Sequence, residues 1–341
     1  EAMVKLCQRV MALPLEVATG LSRNGKEVEQ PFCRAINHPI GQVVQALLNV
    51  WLRREPNDSD GIPADIEPLL SAVCDLEVER FIHGRGILSS RLITLYRVDQ
   101  GWTEKHMLPL FTWDSCREAN ALWEGFLSSP RLHQPTLFAL KDELLNTAYH
   151  YGELYEHGRK YPAFITFAAL SRVEGYTLEE FRRVIGALPP SGLEQCAQAL
   201  HQALEGAGDQ REEYWKNRVQ SFWQQIWPKS RELATKKIAE SLVRMVIAAG
   251  DEFPAALNLV KDWLHPLENS GYVIHRLHDS QLCKRFPWDA LRLLSAVIED
   301  EGWPHRDLGF CLDDIAGTAP EVANDPEYRR LREYLRRREN R

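Results

Sequence analysis

Hydrophobic positions recur with helical spacing from one end of the chain to the other. One run steps by three or four residues and so lines a single helix face: Ala234, Ile238, Leu242, Met245, Val246 and Ala249. The alternation typical of strands is poor, because the short apolar run from Phe164 to Phe167 lies inside a helix-spaced pattern. The chain is therefore predicted to be all-α, with little or no β-sheet.

Helix starts are marked by hydroxyl residues followed three positions later by glutamate. Such a pair can cap the free amide groups of the first turn reciprocally. Three pairs have this spacing: Ser115 with Glu118, Thr177 with Glu180, and Ser191 with Glu194. Asp325 before Pro326 predicts the start of the last helix, since proline is well accommodated at the first helical position.

The breaks between helical stretches are short and rich in Gly, Pro, Asn and Ser. They lie at 20–25, 55–61, 189–190, 206–208 and 269–271, and their lengths suit antiparallel helix pairs. Phe253-Pro254 and Phe286-Pro287 open similar apolar stretches 33 residues apart, and Tyr161-Pro162 is a third aromatic-proline start. These features predict stacked antiparallel helix pairs forming a HEAT-like α-solenoid.

The length of 341 residues suits either two domains of about 150 residues or one elongated stack. The first residue is Glu1, and Val4, Cys7 and Met11 already have helical spacing. We therefore expect residues 1–30 to be the end of a preceding helical segment of a longer protein. Residues 31–341 are predicted to form a continuous helical repeat region closed by a C-terminal capping helix.

Composition narrows the class of protein. Hydrophobic content of 44% and charged content of 26% predict a folded chain, and a net charge of -7 disfavours binding to nucleic acid. Seven cysteines are widely spaced without a Cys-x-x-Cys pair, which is typical of reduced cytosolic thiols. No apolar run approaches the about 18 residues that a membrane helix needs. The sequence predicts a cytoplasmic protein without a membrane span.

His275 and His278, with Cys283 downstream, form the best metal-like pattern. Residues three apart share a helix face, and imidazole with thiolate suits zinc. A fourth ligand at a usual spacing is missing, so packing or capping roles are favoured and no metal site is predicted.

The segment from Tyr149 to His157 could form an acid-base pocket, because His150, Glu153, Glu156 and His157 lie among three tyrosines. A helical hydrolase using this segment is one alternative function. The interpretation we favour is an amphipathic helix with half-buried tyrosines, since no nucleophile or oxyanion element adjoins it.

Gly84-Arg85-Gly86 could cradle a phosphate ahead of a helix, but no strand precedes it and it matches no nucleotide-binding fingerprint. A tight turn leading into a packed helix is favoured. No catalytic or cofactor-binding residue is predicted in the chain.

The predicted last helix is rich in arginine, and clustered arginines can bind phosphate or an acidic partner. Because Tyr328, Leu331 and Leu335 make the same helix amphipathic, a capping helix with a solvated basic face is favoured. The arginines concerned are Arg329, Arg330, Arg332, Arg336, Arg337, Arg338 and Arg341. Most of the ten tryptophans are expected in the core between helices, and some could be exposed anchors.

Several blocks resemble the helical C-terminal region of bacterial defence-associated sirtuins, antiphage proteins that begin with a sirtuin-like domain. The similar blocks span about residues 35–340 and comprise 37–51 (NHPIGQVVQALLNVW), 84–102 (GRGILSSRLITLYRVDQGW), 121–132 (ALWEGFLSSPRL), 204–215 (LEGAGDQREEYW) and 275–287 (HRLHDSQLCKRFP).

The resemblance implies a two-part protein, in which the sirtuin-like domain hydrolyses NAD on infection while the helical region senses a phage component and restrains or assembles the enzyme. The present chain has no Rossmann glycines and no catalytic Asn-His pair on an α/β pattern. His38 follows Asn37 at a Pro-Gly helix start, and no catalytic role is assigned to it.

The predicted function is therefore a non-catalytic sensor and regulatory scaffold without a cofactor of its own. Its partner is expected to be a protein, either a phage component or its own effector domain, and a homo-oligomer is compatible with the sequence. The partner-binding residues are not indicated by any motif. Two alternatives stay open besides the hydrolase: a scaffold attached to an ATPase or nuclease effector, and a nucleic-acid-binding helical repeat that uses the arginine-rich helix.

Overall fold

The computed structural model describes residues 2–14, 21–23, 26–28, 31–299 and 305–339. Within these ranges the chain is almost entirely helical, which confirms the all-α prediction. One small antiparallel sheet joins β1 (Leu21–Arg23) to β2 (Lys26–Val28), with Leu21 opposite Val28. Of the predicted break at 20–25, residues 20, 24 and 25 lie outside the described residues. None of the described helices is both long enough and apolar enough to span a bilayer.

Internal contacts divide the chain into two compact units. Unit 1 comprises Glu1–Ala168 and Arg172–Ala187, and unit 2 comprises Ala169–Ser171 and Leu188–Arg341. The main part of unit 2 begins beside the predicted break at Pro189-Pro190. The predicted boundary near residue 30 and the continuity of 31–341 stay predictions.

The chain up to Ala187 contains twelve α-helices within its described residues and four short 3₁₀ segments. The α-helices are α1 (Ala2–Ala12), α2 (Pro31–Asn37), α3 (Pro39–Leu52), α4 (Glu67–Val73), α5 (Ile82–Ser89), α6 (Leu92–Val98), α7 (Gln100–His106), α8 (Cys116–Ser128), α9 (Gln134–Ala139), α10 (Lys141–Asn146), α11 (Tyr161–Ser171) and α12 (Leu178–Ala187). The 3₁₀ segments are Glu79–Phe81, Leu108–Phe111, Thr147–Glu153 and Gly158–Lys160.

The chain after Ala187 continues in the same manner. Its described α-helices are α13 (Pro190–Gly206), α14 (Arg211–Tyr214), α15 (Gln220–Gln225), α16 (Lys236–Ala248), α17 (Phe253–Val260), α18 (Gly271–Asp279), α19 (Leu282–Arg285), α20 (Pro287–Val297), α21 (Asp307–Thr318) and α22 (Pro326–Glu339). A π-helical segment, Trp215–Val219, joins α14 to α15, and 3₁₀ segments lie at Gly208–Gln210, Arg231–Leu233, Gly250–Glu252, Lys261–Trp263 and Pro320–Asn324.

The apolar stripe predicted from Ala234 to Ala249 is buried from Ile238 onward, whereas Ala234 precedes the Thr235 cap and is half-buried. Ile238, Leu242, Met245 and Val246 lie on α16 with no exposed surface. They face α13, which buries its own leucines, alanines and Cys196. Burial of apolar surface on both helices holds this pair together.

The predicted helix starts have mixed outcomes. Thr177 and Glu180 cap each other reciprocally, with both backbone amides bonded to the partner side chain, so this capping box is confirmed. Helix α8 does begin after Ser115, but Ser115 makes no side-chain cap. Helix α13 begins at Pro190, one residue before the predicted Ser191 cap, so that cap is wrong.

The other predicted starts hold. Asp325 Oδ1 accepts a hydrogen bond of 2.8 Å from the Glu327 amide at the start of α22. Each aromatic-proline pair lies at the start of a helix, namely α11, α17 and α20. The Phe253 and Phe286 rings also stack in unit 2, with centroids 6.1 Å apart.

Tryptophans contribute heavily to the core, as predicted. In unit 2, Trp223 and Trp227 stack with centroids 4.8 Å apart, and Trp263 meets both rings edge-on at 5.8 and 5.5 Å. All three side chains are buried. Trp288 is 39% exposed, and Trp303 lies outside the described residues.

Candidate functional site

Unit 1 contains a pocket of about 380 Å³ where α2, α5 and α8 meet. This volume lies within the range of small-molecule sites. The lining combines apolar walls with two guanidinium groups, an imidazole, a thiol and an amide: Pro31, Arg34, Ile82, His83, Cys116, Arg117, Asn120, Ala121 and Tyr155. Polar side chains from three elements therefore converge on one concave feature of unit 1.

Two glycines bring the pocket helices together. A Cβ atom at Gly125 of α8 would lie 2.2 Å from the Gly86 carbonyl oxygen and 2.0 Å from Ser89 Oγ, both on α5. Only a residue without a side chain permits this approach of two helix backbones. The contact places His83 of α5 and Cys116 of α8 on the same cavity.

The glycines at 84 and 86 therefore correct the sequence interpretation. They lie inside α5, not in a tight turn before it. A Cβ atom on Gly84 would lie 2.7 Å from Val73 Cγ1, so this position too serves close packing. Neither glycine lines the pocket.

A buried ion pair between Arg85 of α5 and Glu118 of α8 joins the two helices beside the pocket. Arg85 donates through Nε to Glu118 Oε2 at 2.9 Å and through Nη2 to Glu118 Oε1 at 2.6 Å. Its remaining Nη1 donates to the carbonyl oxygens of Val73 and Asp75. Arg85 is completely buried, so these bonds compensate the loss of water. The sequence predicted that Glu118 caps the start of its own helix, but its carboxylate pairs with Arg85 instead.

The pocket lining includes two arginines. Arg34 and Arg117 are its two cations, and Arg117 pairs with Glu79 in solvent, where both side chains are mostly exposed. Burial, together with nearby His38 and Arg117, lowers the pKa of His83 to about 4. The imidazole of His83 is thus neutral near pH 7 and can donate or accept a hydrogen bond.

His38 supports His83 from outside the pocket lining. The two rings stack with centroids 4.0 Å apart, and His38 Nδ1 accepts a bond of 3.2 Å from the Ile40 amide at the start of α3. Burial also lowers the pKa of His38. His38 is a helix cap, in keeping with its position at a predicted helix start.

Asn120 presents an unsatisfied acceptor. The residue is 4% exposed, and its Nδ2 donates to Cys116 Sγ at 3.4 Å. Its Oδ1 is buried without a hydrogen-bond partner. A buried acceptor without a donor costs about 1–3 kcal/mol.

The 149–157 segment reaches the rim of this pocket. The Cys116 thiol donates to Glu153 Oε2 at 2.7 Å, Glu153 Oε1 lies 3.1 Å from His150 Nδ1, and Trp113 stacks on the His150 ring. The bond to Glu153, followed by burial, raises the pKa of Cys116. The sulfur is held as a thiol and is a poor nucleophile, which weakens the hydrolase alternative.

The same segment is not the amphipathic α-helix that the sequence predicted. It forms the 3₁₀ segment Thr147–Glu153 and then an extended turn at Leu154. Tyr149 is exposed, Tyr151 is buried and Tyr155 lines the pocket. The three tyrosines therefore do not share one half-buried face, since Tyr155 lies beyond the end of the 3₁₀ segment.

Buried Glu124 anchors the end of this segment. Its Oε2 accepts from the His157 amide at 3.0 Å and its Oε1 from the Gly158 amide at 2.5 Å. His157 meets the Phe32 ring edge-on, with centroids 5.7 Å apart. These contacts give His157 a structural position between α2 and α8.

His275, from the metal-like pattern in unit 2, contacts two carboxylates. His275 lies 3.0 Å from Asp307 Oδ2 through Nδ1 and 3.2 Å from Asp279 Oδ2 through Nε2. Cys283 is fully buried. No cluster of three or more potential metal ligands occurs among the described residues.

The described arginines of α22 divide between solvent and contacts with neighbouring elements, since Arg329 and Arg336 are exposed whereas Arg330 and Arg332 are half-buried. Arg330 donates to the carbonyl oxygens of Ser295 and Ile298 near the end of α20. Arg332 bonds to Tyr328 Oη at 2.8 Å and pairs with Asp313. The side chains of Arg337 and Arg338, and the whole of Arg341, lie outside the described residues.

The pocket residues were not indicated by sequence. Arg34, His83 and Asn120 lie on three helices with no motif spacing, so only the fold brings them together. Cys116 and Glu118 did appear within a predicted helix start, and Tyr155 within the tyrosine-histidine segment. The glycines at 84 and 86 are the one sequence feature that indicates a close approach of another helix to the backbone of α5.

The comparisons with known proteins give limited similarity. No family model matches the chain, and no solved structure matches it. The uncharacterized protein y4cA of Sinorhizobium fredii (strain NBRC 101917 / NGR234) is 28% identical over 134 residues, which cover 38% of this chain and 11% of that protein. The matched stretch is thus a small part of a much longer relative, whose name states no activity.

Proposed function

We propose that this chain is a non-catalytic sensor and regulatory segment of a larger bacterial antiphage protein. It binds a phage protein or the parent's own effector domain and controls an NAD-hydrolysing, sirtuin-like domain outside this segment. One observation carries the proposal: the side chains that suggested chemistry, such as Glu153, His275 and Arg330, are engaged in bonds with neighbouring elements. Catalysis and its cofactor are assigned to the other domain.

The proposed binding surface is formed by helix pairs stacked as a HEAT-like solenoid. The aromatic-proline starts of α17 and α20, 33 residues apart, and the extensively packed pair α13 and α16 support this arrangement. Solenoids present extended faces suited to protein partners. The net charge of -7 supports a protein partner over nucleic acid.

Two further observations support a segment of a larger, cytoplasmic protein. The similarity to a short stretch of the much longer y4cA is in keeping with a segment of a large polypeptide. All seven cysteines are free thiols, which supports the cytoplasm as the compartment.

The test is an NAD consumption assay on two proteins. The 341-residue chain alone should leave NAD intact, whereas the intact parent should consume NAD once a phage structural protein is added. The matched control is the parent without the phage protein, which should stay inactive. NAD hydrolysis by the chain alone would overturn the proposal, and so would a parent whose activity is unaffected by deletion of this segment.

A further inference from the structure

The pocket of unit 1 has the size and lining of a small-molecule site and has no role in the function proposed above. Its volume is about 380 Å³, and its walls at Pro31, Ile82 and Ala121 are apolar. Tyr155 adds an aromatic ring to the lining. These walls favour a ligand with an aromatic, mainly apolar body, because affinity in such a pocket comes largely from burial of apolar surface.

The charged side chains at the pocket already have partners. Arg117 pairs with Glu79, and Arg85 beside the pocket pairs with Glu118. Arg34 is engaged in a contact of its own. A charged ligand would have to displace one of these contacts and lose its own hydration on entry, which is costly. The pocket therefore suits an uncharged ligand.

The polar group that the pocket offers to a ligand is the imidazole of His83. This ring is half-buried and lines the pocket, and within the described part of the chain its nitrogens have no hydrogen-bond partner and are not sealed from solvent. The stack on His38, with centroids 4.0 Å apart, fixes the plane of the ring. With a pKa of about 4 the imidazole is neutral near pH 7, so one nitrogen donates a hydrogen bond and the other accepts one.

We infer that this pocket binds an uncharged aromatic small molecule that carries an N–H or O–H group, with its ring against the apolar walls and that group bonded to a ring nitrogen of His83. A neutral imidazole can recognise such a group without placing a charge in the pocket. The site would give the chain a small-molecule ligand in addition to the protein partner proposed above, and the inference does not depend on that partner.

The class of ligand is tested by NMR titration of the 341-residue chain near neutral pH with probes that share one ring system. Indole is uncharged and carries an N–H group, N-methylindole lacks that group, indoleacetate is an anion and tryptamine is a cation. Indole should bind with a Kd below about 5 mM, as expected for a fragment of its size. Both charged probes should bind about fivefold more weakly or worse, because each must lose the hydration of its charge.

The role of His83 is tested with His83→Phe, which keeps an aromatic ring against His38 and removes the two ring nitrogens. The preference for indole over N-methylindole should fall about threefold or more in this variant, the effect of one neutral hydrogen bond. The matched control is His106→Phe. His106 stacks on Trp102 in unit 1, with centroids 5.4 Å apart, and does not line the pocket, so this variant should keep the preference of the wild type.

A second measurement locates the ligand and does not depend on any variant. Cys116 is exposed and lines the pocket, so bound indole should slow its alkylation by iodoacetamide, as followed by mass spectrometry. Indoleacetate at the same concentration serves as the reference and should leave the rate nearly unchanged.

The outcomes are distinct. Binding of indole that protects Cys116 and depends on the nitrogens of His83 supports the inference. It is overturned if indole does not bind at about 5 mM, if either charged probe binds as tightly as indole, or if indole binds without protecting Cys116. It is also overturned if a folded His83→Phe keeps the full preference for indole over N-methylindole. None of these results affects the NAD assay of the chain alone, so the two proposals fail separately.

Discussion

The two units of this chain bury different kinds of side chain. Among the described residues, every buried polar or charged side chain lies in unit 1 except Asp307, whereas unit 2 has a core of aliphatic residues and stacked tryptophans. Polar side chains line a pocket in each unit, but the one in unit 1 has a volume of about 380 Å³ and the one in unit 2, beside His201 and Arg244, only about 10 Å³. Burial of apolar faces is enough to hold helices together. Polar side chains that line a cavity must in addition be held in place by hydrogen bonds or ion pairs.

The largest effect is expected in the tryptophan cluster of unit 2. Trp227→Ala removes a ring that is 1% exposed and contacts both Trp223 and Trp263. We expect the free energy of unfolding to fall by about 3–5 kcal/mol, since a large cavity is left. Urea titration checks this, with hydrogen exchange of α15–α17 to locate the loss.

Trp288→Ala is the matched control, because this tryptophan is 39% exposed. Its effect should stay below about 1 kcal/mol, as for ordinary surface substitutions. Equal losses at the two tryptophans would contradict the view that unit 2 is held by its buried rings.

The next effect is expected at the buried ion pair of unit 1. Glu118→Ala leaves the fully buried Arg85 guanidinium with only its two carbonyl partners. The expected loss of unfolding free energy is about 3 kcal/mol, because an unpaired buried charge is strongly destabilising. Chemical denaturation with hydrogen exchange of α5 and α8 measures it.

A double replacement sharpens the same comparison. Arg85→Met with Glu118→Leu removes both charges, so it should cost clearly less than Glu118→Ala alone. A double variant less stable than Glu118→Ala would contradict this expectation. It would show that the ion pair makes a net favourable contribution to the free energy of folding.

A smaller, pH-dependent effect belongs to His83 of unit 1. Burial lowers its pKa to about 4, so the unfolded chain binds the proton more readily than the folded one. Stability is therefore full above the unfolded pKa of about 6.5 and falls as the pH drops from there towards 4. After allowance for partial exposure of the ring, the loss should be about 1–2 kcal/mol.

The check is unfolding free energy measured from pH 8 to pH 4.5 for the wild type and for His83→Gln. The variant should show a shallower fall below pH 6.5, because glutamine does not titrate, with His38 leaving part of the slope. Identical slopes for the two proteins would remove His83 as the source of the pH dependence.

The hydrophobic pattern accounts for much of the fold but little of the pocket. The stripe on α16 and the starts at Phe253 and Asp325 could be predicted, because each depends on neighbours within one or two turns. The burial of most tryptophans followed from their size.

The pocket depends on contacts between distant parts of the chain. Glu118 has the spacing of a capping box with Ser115, yet it bonds to Arg85, 33 positions earlier. The 149–157 segment has the composition of an amphipathic helix, but Glu124 bonds the backbone at its end and the chain forms a 3₁₀ turn instead. Such tertiary bonds override local preference and have no local signature.

The smallest effects should occur at exposed ion pairs, and they should be alike in the two units. Asp58 pairs with Arg97 in unit 1 and Asp262 with Arg231 in unit 2, each at 2.6 Å and each about half exposed or more. Asp58→Asn and Asp262→Asn should each cost under about 1 kcal/mol, and less at high salt, because water screens such pairs. Urea titration at low and high salt measures both. A large cost in only one unit would mean that the difference between the units extends to their surfaces, whereas equal small costs would confine it to the buried charges around the pocket.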